Sequence, residues 1–176
     1  MCCEHQDVRL ATSLALGKAT GQEEDSATLA LLGALKNGSA DVRAASAEGL
    51  SQKYSRAHEV VPLLIDSLND KDWRVRDSAA VALGNFGGLE EVGGPLRAIL
   101  EHDSVATVRQ AAAEALSVGT GESISSLLFA IEHDKSPEVR ASAIENLSGL
   151  YLRKQQEKAY RYEELAKIPM VRTVVL

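Results

Sequence analysis

The chain reads as all-α, an α-α superhelix built from stacked helical hairpins, and three observations support this. Val-Arg dipeptides recur at Val8-Arg9, Val42-Arg43, Val75-Arg76, Val108-Arg109 and Val139-Arg140, with arginine spacings of 34, 33, 33 and 31 residues. Leucine stands seven residues after every arginine (Leu16, Leu50, Leu83, Leu116, Leu147), and a small side chain three residues after it (Thr12, Ser46, Ala79, Ala112, Ala143). Of the 176 residues 45% are hydrophobic but only 4% aromatic, so the core must be built from Leu, Ile, Val and much Ala. Self-similarity at such a period marks an array in which each unit buries its apolar face on its neighbours.

The chain starts only a few residues before Val8-Arg9. The first unit therefore holds a second helix without a first one. Leu10, Leu14 and Leu16 are expected at an uncovered end, where contiguous apolar surface invites cover by another subunit or a second copy. Four full repeats follow, so residues 1–150 form the array.

Their first helices are announced by leucines at helical spacing: Leu31, Leu32 and Leu35; Leu63, Leu64 and Leu68; Leu96, Ile99 and Leu100; Leu127, Leu128 and Ile131. Their second helices begin just before Val-Arg and keep valine, the small residue and leucine on one stripe. Asn37, Asp70, Asp103 and Asp134 stand six residues before the arginines, in short turns suited to binding backbone amides and capping the following helix. Pro137 fits the first turn of such a helix. Gly17, Gly84, Gly119 and Gly149 are read as helix stops, and the stretch Gly84–Gly94 as a glycine-rich loop.

Beyond Leu150 the pattern changes. Residues 151–176 hold six Lys/Arg against three Asp/Glu, a charge of +3, which leaves −9 for the body of a chain that totals −6. This segment is read as a charged helix to about Lys167 and an extended tail. It covers the last repeat or, through Tyr160 and Tyr162, docks a partner.

The segments Asp70–Gly87 and Ala106–Gly119 resemble the HEAT-repeat family, in particular the short repeats of the bilin-lyase type, and the likeness extends over residues 7 to 150. The resemblance implies a right-handed solenoid whose second helices line a concave face, and members that mostly bind other proteins. Positions one and five residues after the repeat arginine should then look out from that face. They carry Asp77, Glu48, Glu114 and Glu145, an acidic row suited to a partner with a basic surface. Arg43, Arg76, Arg109 and Arg140 are read as structural, their stems packed between repeats and their heads reaching Asp70, Asp103 or Asp134 across a turn.

The Glu-His-Asp triplets at Glu101–Asp103 and Glu132–Asp134 are ligand-type residues, but they are repeat echoes. Equivalent points of stacked repeats lie about 8–10 Å apart, too far to share one metal ion. An iron-binding HEAT-like hydroxylase would need His-Glu after the repeat arginine, where this chain has other residues, and His58-Glu59 is out of phase. Phosphate cradles and strands are absent from the pattern. No cofactor, metal or catalytic residue is expected.

The acidic body argues against nucleic acid or an anionic membrane surface as partner, and no apolar run approaches a bilayer span. Adjacent Cys2 and Cys3 cannot staple a fold, which suits an intracellular, cytoplasmic setting. The expected role is a protein-interaction scaffold or adaptor. The alternative is a bilin lyase subunit or related chromophore-handling factor, which the stretch Asp72–Arg76 suggests.

Overall fold

A computed structural model of the chain describes residues 22–116 and 121–166, with the side chains of residues 22–24, 121–122, Lys154 and 157 onward outside the described set. Helices follow one another in pairs: α1 (Gln22–Asn37) with α2 (Ala40–Leu50), α3 (Ala57–Ser67) with α4 (Trp73–Gly84), α5 (Glu90–His102) with α6 (Ala106–Ala115), and α7 (Gly121–His133) with α8 (Pro137–Ala166). A 3-10 turn, Tyr54–Arg56, lengthens the link between the first two pairs. Among the described residues there is no strand, and no helix is long and apolar enough to cross a membrane. The fold is an α solenoid.

The second helices stack on one another, α2 on α4, α4 on α6 and α6 on α8, far more closely than the first helices do. Side-chain size explains the asymmetry, because interaxial distance follows the residues at the contact. Ala45, Ala47, Ala79, Ala80, Ala82, Ala111, Ala112, Ala113 and Ala115 are all buried on the second helices. A Cβ on Gly84 would lie 3.1 Å from the Cα and Cβ of Ala115. The first helices bring bulkier Leu31, Val60, Leu64, Val92, Leu96 and Leu127 to the same core. Small residues inside and large ones outside make an arc whose short side is the second-helix layer.

The repeat stripe lies where its spacing places it: Val75, Val108 and Val139 are buried, as are Ser46, Ala79, Ala112 and Ala143, and Leu50, Leu83 and Leu116. Pro137 opens α8 at its first turn, as expected. Three sequence readings need correction. Gly149 does not stop a helix, for α8 runs through it to Ala166 and carries the charged segment as a continuation of the last repeat. Gly93 and Gly94 lie inside α5, so the loop is confined to residues 85–89. Leu128 faces outward and is exposed. Gly17, Gly119 and the N-terminal leucines Leu10, Leu14 and Leu16 lie outside the described residues.

Candidate functional site

The repeat arginines and aspartates form one continuous ladder, with a register the sequence did not reveal. The guanidinium groups of Arg43, Arg76 and Arg109 each reach forward to the aspartate of the next repeat. Arg43 Nε and Nη2 donate to Asp70 at 2.7 and 2.8 Å. Arg76 does the same to Asp103 at 2.6 and 2.9 Å, and Arg109 to Asp134 at 2.7 and 2.8 Å. Each of these pairs is a two-point fork, the strongest geometry for a guanidinium and a carboxylate.

The remaining Nη1 donates backward to a main-chain carbonyl of its own turn: Gly38 for Arg43, Asp70 for Arg76, Asp103 for Arg109 and Asp134 for Arg140. The aspartates also accept from the N–H two residues on, that of Asp72, Val105 or Ser136. This makes an Asx turn. The turn holds the residue before the helix; at α4 that residue, Asp72, is itself the cap and accepts from the Arg74 N–H at 3.0 Å.

These contacts hold the carboxylates ionised. The Arg43 fork keeps Asp70 below its ordinary range, and the Arg109 fork does so for Asp134. Burial pushes Asp103 upward, but the Arg76 fork and the Val105 N–H together outweigh it and the net direction is down.

The acidic row behaves oppositely. Glu48, Asp77 and Glu114 stand on α2, α4 and α6, and Asp77 is pushed up by burial first, then by repulsion from Glu114 and Glu48. Among the described residues none of these three, nor Glu145 on α8, has an Arg or Lys partner. Glu48 accepts from Ser78 Oγ at 3.1 Å; Glu114 accepts from Ser142 Oγ at 3.0 Å and from Gln110 Nε2 at 2.9 Å. Beside this row the exposed Trp73 and Val81 stand one turn to either side of Asp77 on α4.

Those serine ties were missed, although the sequence carries their signal. In Glu48–Ser78 and Glu114–Ser142 the residue five after one repeat arginine meets the residue two after the next. In the sequence the same two places read Val81 and Ala111 in the repeats between, and Leu14 and Ala45 at the start. A hydroxyl stands wherever the preceding repeat offers a carboxylate, and alanine wherever it offers an apolar side chain. Lys53 was also passed over. It occupies the place of Phe86 and Leu150 and is only 1% exposed.

His102 and His133 end α5 and α7 with exposed rings, the latter stacked on Phe129 at 4.5 Å. Among the described residues no three His, Cys, Asp or Glu side chains converge as a metal ion would require. Tyr160 and Tyr162 fall on α8, with their side chains outside the described residues.

A tandem of hairpins locked by a forward-reaching ladder defines a helical-repeat solenoid protein. The profile of HEAT repeats matches residues 28–117, and the chain belongs to that family. No curated protein matches it. Among solved structures it is similar to a chain in the complex of CpcE and CpcF of phycocyanin lyase from Nostoc sp. PCC7120, with 21% identity and a TM-score of 0.55 over 79% of this chain and 98% of that one. A designed armadillo repeat protein is similar at 21% identity and a TM-score of 0.55, over 96% of this chain and 88% of that one. At these identities the likeness shows the fold alone.

Proposed function

We propose that the protein is a non-catalytic intracellular scaffold that holds a protein partner with a basic surface against its second-helix layer, at Glu48, Asp77, Glu114 and Glu145. Residues 151–176, with Tyr160 and Tyr162, form a second docking segment. One observation carries the reading: on three successive second helices Asp77 is repelled by both Glu114 and Glu48, and among the described residues no cation stands beside them. Such an arrangement works against folding, and lysines or arginines of a partner would relieve it. The ladder shows the contrast, for Asp70, Asp103 and Asp134 each already have an arginine.

The test is the double substitution Glu48→Lys and Glu114→Lys. Capture of the partner that co-purifies with the intact chain should weaken at least tenfold, about the effect of losing a charged contact. Association by the unsubstituted chain should slow as salt rises. Unchanged capture by a folded double variant would return the row to ordinary solvated surface.

The likeness to a chain of the phycocyanin lyase complex favours one second reading, a subunit that handles a bilin chromophore. Incubation with a bilin and an apo-phycobiliprotein, followed by a search for covalently bound colour, separates the two.

A further inference from the structure

The ladder has an open last rung. Arg140 donates Nη1 to the carbonyls of Asp134 and Lys135, but its Nε and Nη2 have no partner among the described residues. In Arg43, Arg76 and Arg109 that same edge grips the aspartate of the next repeat. One turn further along each second helix stand Ala47, Ala80 and Ala113, all 0% exposed under the next repeat, whereas their counterpart Ile144 is 50% exposed. Glu145 completes the set. Its counterparts Glu48 and Glu114 accept from a serine of the following repeat, and Glu145 has no such donor among the described residues.

We propose that this end of the array is a socket for a helical repeat of a different protein, which extends the solenoid across a subunit boundary. The socket specifies its occupant. Arg140 requires an aspartate in the turn between two helices, Ile144 requires an apolar surface beside it, and Glu145 requires a hydroxyl on the second helix. Within the chain the two donors of such ties follow their aspartates by eight residues, Asp70 to Ser78 and Asp134 to Ser142. The occupant therefore carries aspartate and serine at that spacing.

A second copy of this chain does not supply them. At the corresponding places its half repeat has Cys3 and Ala11, and its first full repeat has Asn37, an uncharged amide already donating to the Gly33 carbonyl at 3.2 Å, and Ala45. Residues 151–176 contain neither aspartate nor serine, so that segment lacks the signature as well. Docking would bury the new pair as Asp103, whose side chain is only 4% exposed, is buried opposite Arg76.

This inference rests on the scaffold reading but concerns a different surface, so the two fail separately. The probe is the full-length chain with a photoreactive benzoylphenylalanine in place of Ile144, irradiated in the cells that produce it, with the attached peptide sequenced. The expected product is a helical-repeat segment of another protein with Asp and Ser eight residues apart. Arg140→Gln and Arg140→Lys should then each weaken binding of that protein tenfold or more, because lysine keeps the charge but loses the fork. Attachment only to a second copy, only to residues 151–176, only to a segment without that spacing, or to nothing would overturn the socket. Equal binding by the folded Arg140 variants would do the same. Continued loss of capture on Glu48→Lys and Glu114→Lys would still support the scaffold.

Discussion

Asp77 and Asp103 have the same side chain in opposite surroundings, and substitution should move stability in opposite directions. Asp77→Asn removes a charge that burial and two neighbouring glutamates disfavour, so it should raise the thermal midpoint at pH 7. The sign follows from linkage: a carboxyl with a raised folded-state pKa favours the fold below its unfolded value and opposes it as pH rises through the folded value. The gain should therefore vanish below about pH 4, near the ordinary aspartate value. Asp103→Asn leaves the Arg76 guanidinium largely buried against a neutral amide, and breaking such a pair costs about 3 kcal/mol. Urea titrations of both variants at pH 7 check the contrast. A stabilised Asp103→Asn would mean that the ladder adds nothing to stability.

The elements owe their spacing to side-chain size more than to helix propensity. Leu83 is fully buried in α4, and Leu83→Ala should cost about 2–5 kcal/mol. Gly84 tests the inner layer more directly, because its backbone lies against Ala115 of α6 with no room for a branch. Gly84→Leu should cost about 1–3 kcal/mol through overpacking, whereas an exposed glycine such as Gly88, with open space around it, should tolerate the same change. A neutral Gly84→Leu, measured by thermal melting, would show that α4 and α6 can part freely. The continuity of α8 is the element-scale fact that periodicity could not supply. Gly149 resembles a stop when judged by its place in the repeat, yet nothing crowds it, and the helix continues.

For the whole molecule, the array should be acid-sensitive in a predictable window. Asp70, Asp103 and Asp134 all have folded-state values below the ordinary one. Their stabilisation is present above about pH 4 and is lost as pH falls through the folded values. Each lost rung loosens the junction between two repeats, and stacked repeats depend on nearest-neighbour junctions for cooperativity. Acid unfolding followed by circular dichroism should therefore broaden as pH drops from 4 toward 2. An array equally stable at pH 2 and pH 7 would exclude the ladder as its fastening.

The sequence by itself determined the repeat, its phase, the helical pairs and the buried stripe. All of these follow from spacing along one helix or across one short turn, where 3.6 residues per turn leaves little choice. It also singled out the arginines and aspartates as structural. The direction of the ladder was decided only by tertiary structure, because an arginine six residues from one aspartate and 25 to 27 from another cannot choose between them until repeats stack. The same holds for the serines that tie Glu48 and Glu114, and for the unfilled place at Arg140, Ile144 and Glu145. Local periodicity states which face a residue occupies. Which neighbour meets that face depends on how the hairpins pack, and the small residues of the second helices set that packing.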